Sequence, residues 1–229
     1  MKHNHSFKNF CALTVTIGKV AVKDGKNGRY AHAAATASLG SEIVPLKVIA
    51  YDENIIPALV EGATLTVVGR LGYEEWEGQK GKFARLTLTA EKLEPLAEDS
   101  RPRNVVKITL KGIADPFCSY SSAGRFWGRI RAMLSMGKTA DGSGWKPALF
   151  LDVKAFAKSS PAEGEDPDAL PTELGNLTRG SYFTVVGQLA AETYNEVMRY
   201  SIIARKFEAV VFDSAPESVE AEAALEEVF

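Results

Sequence analysis

The sequence of 229 residues has few cysteines and histidines and no long apolar run. Its two cysteines, Cys11 and Cys118, are too few for a disulfide scaffold and lack the spacing of a metal site. No apolar stretch approaches the ~20 residues that a membrane-spanning helix needs, and the N-terminus contains no apolar core of a secretory signal. These absences argue against disulfide-rich, membrane and secreted proteins, and they predict a cytoplasmic protein with two reduced, buried thiols.

Motifs of catalysis are equally scarce. The sequence shows no Ser/His/Asp set and no nucleophile elbow, and only His32 could join His3 and His5 at a metal. Residues 132–139 (AMLSMGKT) fit a relaxed phosphate-loop pattern, but bulky side chains fill it and no helix signal follows. We therefore expect no enzyme activity, no cofactor and no metal site.

A net charge of −2 conceals an uneven distribution of charged residues. Residues 1–100 are balanced, with 12 basic and 12 acidic side chains, whereas residues 101–212 carry 15 basic and 11 acidic ones. Residues 213–229 carry six acidic side chains and no basic one. A mildly basic second half before a purely acidic tail is compatible with a polyanion as partner, although the overall pI is near 6.0.

The sequence also contains an internal repeat. Residues 62–69 (GATLTVVG) match residues 180–187 (GSYFTVVG), and an aromatic residue, Trp76 or Tyr194, follows the second glycine by seven positions. A stretch of alternating apolar and polar residues precedes each of these two matching segments. Several features in the same order predict two tandem copies of one domain. The expected ranges are a first domain over 1–97, a linker over 98–103, a second domain over 104–212 with a loop insertion at 159–172, and an acidic tail over 213–229.

Each copy is predicted to be mostly strand, because apolar and polar residues alternate between turn signals. Copy one has predicted strands over 10–22, 30–39, 43–51, 63–72 and 83–93, with a connector over 53–60. Copy two has predicted strands over 104–113, 125–136, 148–157, 182–191 and 198–211, with a connector near 173–177. Five strands with a connector between the third and the fourth are the order of the oligonucleotide-binding barrel, the OB-fold. The prediction is an all-β chain of two tandem five-stranded OB-fold barrels with a disordered acidic C-terminal tail, although strand count alone leaves another small β-barrel open.

The predicted strand over 125–136 has two different faces. Its even positions from Phe126 to Leu134 are apolar or small and are predicted as core. Its odd positions begin with Arg125, Trp127, Arg129 and Arg131. An outward tryptophan among arginines suits single-stranded nucleic acid, because bases stack on the ring and guanidiniums meet phosphates. The alternative is that Trp127 covers a loop and that the arginines are merely solvated.

The third strands and the fourth–fifth hairpin of copy one add further candidates. Lys47 and Tyr51 share the outward face in copy one, as Lys154 and Phe156 do in copy two. The alternative is that the two aromatic residues pack under a loop or in a subunit interface. The hairpin adds Arg70, Trp76, Lys80, Lys82, Phe83 and Arg85. Three glutamates at its tip weaken the case for a polyanion there, so part of its role can be in assembly.

Several short stretches resemble the bacterial-type single-stranded DNA-binding proteins. They are VIAY at 48–51, PALVEG at 57–62, VVGRL at 67–71, Trp76, and FARLTL at 83–88. The resemblance covers most of residues 8–95 and, more loosely, 104–211. It implies that an aromatic residue ending the third strand and a tryptophan on the fourth–fifth arm stack on bases, and the matching positions are Tyr51 and Trp76.

The same resemblance implies differences between the copies and an assembly. Two further tryptophans, typical of the family's second and third strands, have no counterpart in copy one. This implies weaker binding by copy one and compensation by Trp127 and Trp145 of copy two. Family members with tandem barrels assemble as dimers, so the resemblance implies a homodimer with four barrels around the strand.

The acidic tail fits the same family. The family ends in a disordered acidic tail with a terminal phenylalanine that docks replication and repair enzymes, and the matching positions here are Glu226, Glu227, Val228 and Phe229. This tail lacks the usual aspartate run and the proline before the last residue. A short helix over 219–229 is the alternative, because the segment is rich in alanine and glutamate.

The sequence therefore predicts a non-enzymatic protein that binds single-stranded DNA without sequence preference, protects it, and recruits partners in replication, recombination or repair. The alternative is an OB-fold accessory or scaffold protein that binds RNA or a protein. The candidate nucleic-acid-binding residues are Lys47, Tyr51, Arg70, Trp76, Lys80, Lys82, Phe83, Arg85, Arg125, Trp127, Arg129, Arg131, Trp145, Lys154, Phe156 and Tyr194.

Overall fold

The computed structural model describes residues 8–25, 28–78, 81–97, 99–139, 142–195 and 197–210. Within these ranges the chain is mostly β-strand, with one short α-helix and one turn of 3-10 helix. Neither of the two helices in the described ranges is long and apolar enough to cross a membrane. The all-β prediction is confirmed.

The first barrel consists of five strands, as predicted. They are β1 (Asn9–Gly25), β2 (Gly28–Leu39), β3 (Glu42–Ala50), β4 (Thr64–Gly78) and β5 (Gly81–Pro95). Strand β1 pairs antiparallel with both β2 and β4, β2 pairs with β3, and β5 pairs with β4 and runs parallel to β3. This ladder closes into a barrel, and the 3-10 turn Ile56–Ala58 connects the third strand to the fourth. The order is that of an OB-fold.

The second barrel repeats this order with an interrupted first strand. Its strands are β6 (Asn104–Gly112), β7 (Phe117–Tyr120), β8 (Phe126–Leu134), β9 (Leu149–Phe156), β10 (Tyr182–Tyr194) and β11 (Val197–Ala209). Strand β6 pairs with β10, and β7 pairs with β8. In the first barrel β1 alone pairs with both equivalent strands, which are β4 and β2. Pro116 lies in the break and has no N–H for a ladder hydrogen bond. The short strand β7 was not predicted, and it gives this barrel a sixth strand.

A short helix, α1 (Ala169–Gly175), joins β9 to β10 and contacts β8, β9 and β11. The loop insertion predicted over 159–172 therefore ends in helix, and the helix begins before the connector predicted near 173–177. Pro171 stands in the first turn of this helix, where a backbone N–H has no partner within the helix, so the proline costs no helical hydrogen bond. Its burial together with Leu174 anchors the helix on the barrel.

The repeated TVVG sequence places a glycine at a β-bulge. In both barrels the register of the fourth–fifth strand pair shifts at this glycine, which is Gly69 in one copy and Gly187 in the other. A Cβ atom at Gly69 would overlap the carbonyl oxygen of Thr89, and one at Gly187 would overlap that of Ile203. The close approach of the two strands therefore requires glycine at this position of the repeat.

An asparagine clamp ties the first strand of each barrel to the fourth. The side chain of Asn9 donates to the carbonyl of Leu71 at 2.8 Å and accepts from its N–H at 3.0 Å. Asn104 makes the same two hydrogen bonds with Leu189, at 2.7 and 2.9 Å. Since Leu71 and Leu189 each stand two residues after the bulge glycine, the clamps are equivalent in the two copies.

The two barrels are related by a pseudo-two-fold axis. Strand β1 pairs antiparallel with β6, and Cys11 lies opposite Val106. Each of these residues is two positions after the clamp asparagine of its own copy, so the axis passes between them. Equivalent hydrogen bonds flank the axis: the Arg103 N–H donates to Thr14 Oγ1 at 2.8 Å, and the Lys8 N–H donates to Thr109 Oγ1 at 2.9 Å.

The core of each barrel consists of the alternating positions that the sequence predicted. In the third strands these are Val44, Leu46, Val48 and Ala50 in copy one, and Leu149, Leu151, Val153 and Ala155 in copy two, all of them buried. Cys11 is part of the core, and burial raises the pKa of its thiol to about 12, so the thiol stays protonated. Cys118 is only half-buried, because it lies on the short strand β7 at the barrel surface.

Candidate nucleic-acid interface

A groove of about 430 Å³ lies over β8 and β9 of the second barrel. Alternate residues of these strands face it, because successive side chains of a strand point to opposite faces. Its lining consists of Ser121, Arg125, Trp127, Arg129, Lys154 and Phe156, which together define the Trp127 groove. All of these except Ser121 were predicted as nucleic-acid-binding residues, so the fold brings one part of the predicted site together.

Trp127 lies between two other aromatic rings. It is directly opposite Phe156 in the β8–β9 register, and the two rings are stacked with centroids 6.4 Å apart and planes at 22°. On the other flank of β8, Phe117 of β7 meets Trp127 edge-on at 5.8 Å. Trp127 and Phe156 are half-buried and Phe117 is exposed, so parts of the rings remain open to solvent. Such a partly open aromatic cluster is a surface on which an unpaired base can stack.

Two guanidiniums lie over the edges of this cluster. The Arg125 guanidinium is 5.7 Å from the centroid of Phe156 and donates hydrogen bonds to the carbonyl of Ala157. The Arg129 guanidinium is 5.9 Å from the centroid of Phe117. Both arginines are exposed, so each positive charge is positioned by an aromatic ring and still accessible to an anion.

The other two predicted cations of this face are in ion pairs. Lys154 lines the groove and lies 3.4 Å from a carboxylate oxygen of Glu192. Arg131 lies one step further along β8, outside the groove lining, and pairs with Asp152 at 3.2 Å. Arg131 is therefore a weaker candidate for a phosphate than Arg125 or Arg129, because its charge is already partly neutralised.

The first barrel has Tyr30, His32 and Tyr51 at the corresponding positions. Ala31 pairs with Ala50, so Tyr30 stands opposite Tyr51 just as Trp127 stands opposite Phe156. The ring centroids of Tyr30 and Tyr51 are 6.0 Å apart, and His32 meets Tyr30 edge-on at 6.1 Å. This pair of tyrosines gives the first barrel a smaller aromatic surface at the same place.

The groove beside these tyrosines is smaller, at about 230 Å³. It is lined by Lys19, Ala21, His32, Ala33, Ala34, Lys47 and Arg85. Glu74 of β4 bridges two of its cations, since its carboxylate pairs with Lys47 at 3.0 Å and with Arg85. Partial burial alone would raise the pKa of Glu74, but hydrogen bonds from Lys47 and Arg85 keep that pKa below its ordinary value. The carboxylate is therefore ionised and offsets positive charge in this groove.

The β4–β5 arm of the first barrel also brings predicted residues together. Trp76 is opposite Phe83 in the register, with the rings stacked at a centroid distance of 5.8 Å and an angle of 19°. The Arg85 guanidinium lies 4.7 Å from the centroid of the Trp76 ring. Arg70, nearer the barrel, pairs with Glu91 at 2.7 Å.

The β10–β11 arm of the second barrel carries Tyr194 at the position equivalent to the arm tryptophan of the first barrel. The ring is exposed, and the Arg199 guanidinium lies 4.3 Å from its centroid. Both arms therefore present an aromatic ring with an arginine against it, and the arm of the first barrel adds a second ring, that of Phe83, stacked on Trp76.

Comparison with solved structures finds the same fold in a known protein. The chain matches a deletion mutant of the single-stranded DNA binding protein from Thermus aquaticus, with a TM-score of 0.60 and 18% sequence identity, over 92% of this chain and 98% of that chain. The wild-type protein from the same organism matches with a TM-score of 0.58 and 17% identity, over 91% of this chain and 96% of that chain. The chain has the fold of this single-stranded DNA-binding protein. No protein-family profile and no curated protein sequence matches it.

Trp145 does not share the Trp127 groove. It belongs to the loop between β8 and β9 and is 70% exposed. It forms a β-bridge with Lys138, whose Nζ lies 5.9 Å from the indole centroid. Trp145 lines a separate cavity beside Lys111 and Tyr182, at the opposite end of β8.

Some predicted residues lie outside the described part of the chain. These are Lys80 and the tail residues Glu226, Glu227, Val228 and Phe229, and of Lys82 only the backbone is described, opposite Glu77. Among the described residues, no three His, Cys, Asp or Glu side chains form a group that could hold a metal ion. His3 and His5 are outside those residues.

Three aromatic residues of this surface were missed by the sequence analysis. Phe117 and Tyr120 belong to the unpredicted strand β7, and Tyr120 packs on Phe126 with centroids 5.0 Å apart. Phe126 was predicted as core, but it lies at the start of β8 and is only half-buried. The third missed residue, Tyr30, could have been found, because antiparallel pairing of the predicted second and third strands of copy one places it opposite Tyr51.

Proposed function

We propose that this protein binds single-stranded DNA without sequence preference and that the Trp127 groove is its principal contact. The observation that supports the proposal is the Trp127–Phe156 stack in a groove flanked by Arg125, Arg129 and Lys154. The protein acts by binding rather than by catalysis.

Rings and cations in this groove suit different parts of a nucleic acid strand. A base stacks on an aromatic face whatever its identity, so stacking does not select a sequence. The guanidinium and ammonium groups contact phosphates, which every nucleotide also has. In a duplex the bases stack on each other and are not available to Trp127. The groove therefore favours a single strand over a duplex.

The first barrel extends the same contact with weaker chemistry. Tyr51, Tyr30 and the Trp76–Phe83 stack offer rings to further bases, while Glu74 reduces the positive charge that Lys47 and Arg85 offer to phosphates. A strand bound by both barrels of one chain contacts two surfaces that a pseudo-two-fold axis relates, which increases the effective affinity of each.

We also propose a homodimer that brings four barrels together, and recruitment of replication or repair proteins through residues 226–229. Support for the dimer comes from Phe10 and Val105, two exposed apolar residues on the outer face of the β1–β6 junction. Support for recruitment comes from the charge of residues 213–229, which have six acidic and no basic side chains.

Titration with oligothymidylate, following tryptophan emission, tests the proposal. Stacking of a base on Trp127 quenches or shifts its emission, so we expect a saturable change. If about five phosphates are neutralised per chain, the plot of log affinity against log salt should have a slope of about −3 to −4, at roughly −0.7 per contact. Unchanged emission, or an affinity that salt does not alter, would contradict the proposal and favour a protein scaffold.

The same titration with oligouridylate distinguishes DNA from RNA binding. A groove that stacks bases and pairs phosphates does not need the 2′-hydroxyl, so oligothymidylate should bind at least as tightly as oligouridylate. A clear preference for the RNA strand would instead support the RNA-binding alternative.

A further inference from the structure

A row of large side chains crosses the outer surface of the second barrel at the end remote from the Trp127 groove. Phe150 pairs with Met133, Met133 with Lys111, and Lys111 with Tyr182, so the four residues are neighbours across β9, β8, β6 and β10. We call these four residues the transverse row. At about 4.8 Å between strands, the row is about 14 Å long.

Three residues of the transverse row, Lys111, Met133 and Tyr182, line a cavity of about 360 Å³. Trp145 of the β8–β9 loop lines the same cavity, together with Met133, Lys111, Tyr182 and the N-terminal Lys8. The Lys111 ammonium lies 5.6 Å from the Tyr182 ring centroid. The cavity thus combines aromatic rings with ammonium groups, which is the combination that a nucleotide requires.

The first barrel shows that the fold does not require these side chains. The equivalent row there consists of Pro45, Thr36, Thr16 and Thr64, paired with one another in the same register. The β2–β3 turn of the first barrel contains only residues 40–41, whereas the equivalent loop of the second barrel spans 135–148 and contains Trp145. Large side chains, among them two aromatic residues and a lysine, therefore occur in the second barrel at positions where proline and threonine suffice in the first.

The outward face of β8 connects the transverse row with the Trp127 groove. Trp127, Arg129, Arg131 and Met133 all lie on the outward face of β8, since the residues between them are buried. Met133 lies six positions after Trp127, which is about 20 Å at the rise of a strand. A single strand with stacked bases rises about 3.4 Å per nucleotide and needs about six nucleotides to cover this distance.

We infer that the transverse row and Trp145 form a second stacking site for the same single strand of DNA, at which a base contacts Trp145 or Tyr182 and a phosphate contacts Lys111. The inference rests on the proposed function, because it assigns a second site to the strand that the Trp127 groove binds. It makes the second barrel a two-site platform for one strand.

The test compares a short and a long oligothymidylate, of about 4 and about 20 nucleotides, by fluorescence anisotropy on the full chain. One variant combines Lys111→Thr with Tyr182→Thr, because the first barrel has threonine at both equivalent positions. A second variant is Trp145→Ala, in a loop outside the barrel. Ile43→Ala, which removes an exposed apolar side chain from the first barrel, is the matched control.

We expect both variants to bind the long oligonucleotide about 5- to 100-fold more weakly and the short one within about twofold of the wild type, because only the long strand reaches both sites. Trp127→Ala should weaken both oligonucleotides, and Ile43→Ala neither. Unfolding midpoints close to that of the wild type would show that the variants fold.

Three results would overturn the inference. Unchanged or tighter binding of the long oligonucleotide by both variants would indicate that the cavity holds something else, such as an acidic peptide. Equal weakening of both oligonucleotides would indicate that the row acts through the Trp127 groove. Absence of oligonucleotide binding by the wild-type chain would contradict the proposed function and, with it, the second site.

Discussion

The two barrels of this chain share a framework and differ on the surface that the framework presents. The asparagine clamp, the bulge glycine and the alternating core recur at equivalent positions, and the pseudo-two-fold axis relates them. On the outward face of the second and third strands the side chains differ at almost every position. Conserving a fold within one chain therefore leaves the chemistry of its exposed positions free to diverge.

The register shows how the surfaces diverge. Phe117 pairs with Arg129 in the second barrel, whereas the equivalent pair in the first is Ala21 and His32. Where the second barrel has Trp127, the first has Tyr30. At these positions the second barrel therefore has a larger aromatic ring and a guanidinium group, whereas the first has a smaller ring and an imidazole.

The largest expected effect is a difference between these two aromatic positions. Trp127→Ala should weaken the binding of oligothymidylate by ~1–3 kcal/mol, because it removes a stacked base contact. Tyr30→Ala should cost less than half as much, since its groove is smaller and partly neutralised by Glu74. Anisotropy titrations of the two variants measure both losses.

Thermal unfolding of the same variants is the control. Trp127 is half-buried, so its removal should lower the unfolding midpoint less than the loss of a core aromatic residue would. If Trp127→Ala unfolds the protein, the ring has a structural role. If the two variants lose equal affinity, the barrels do not differ as binding surfaces.

The next effect concerns the shared framework. Asn9→Ala and Asn104→Ala should each lower the free energy of unfolding by ~1–3 kcal/mol, because each leaves the N–H and C=O of a buried leucine without a partner. Denaturant unfolding of the two variants should give similar losses. Asn54→Ala is the control, since Asn54 is exposed and its side chain hydrogen-bonds to Asp52, two residues away. Clearly unequal losses in the first two variants would show that the clamps are not equivalent.

The repeated framework could be predicted from the sequence, whereas much of the surface could not. The TVVG glycine and the alternating apolar residues are local patterns, so they predicted two barrels and the outward set around Trp127. Strand β7 is four residues long and lies beyond a proline, and no local pattern distinguishes it from a loop. The pairing of Glu74 with Lys47 joins residues 27 positions apart. It depends on how β4 and β3 approach each other, which composition and alternation do not determine.

A smaller effect should follow from that ion pair. Glu74→Gln removes the charge that offsets Lys47 and Arg85, so oligothymidylate binding at low salt should become tighter, by ~0.5–1 kcal/mol. The effect should be clearest in a Trp127→Ala background, where the first barrel contributes a larger share of the affinity. Anisotropy titrations over a range of salt concentrations measure it.

Glu192→Gln is the matched control in the second barrel. Its carboxylate pairs with one cation among the described residues, Lys154 at 3.4 Å, so the gain should be smaller than for Glu74→Gln. Weaker binding by Glu74→Gln would show instead that Glu74 positions Lys47 and Arg85 for a phosphate.

The smallest expected effect is a pH dependence that only the first barrel has. Partial burial and the positive charges of Lys23, Lys47 and Arg85 lower the pKa of His32 below its ordinary 6.5, and Glu74 opposes them only in part. Neutral His32 therefore favours the folded state above pH 6.5, and this contribution is lost as the pH falls.

A phosphate bound in the first groove raises the pKa of His32. It favours the imidazolium, so binding takes up a proton, and affinity should rise about twofold as the pH falls from about 7.5 to about 5.5. Glu74 stays ionised across this range because its pKa lies below 4.5. The measurement is anisotropy in the Trp127→Ala background, with and without His32→Gln. The rise should disappear in the variant that lacks His32, since the sequence of the second barrel contains no histidine. A rise of the same size in both proteins would place the titrating group elsewhere and remove this difference between the barrels.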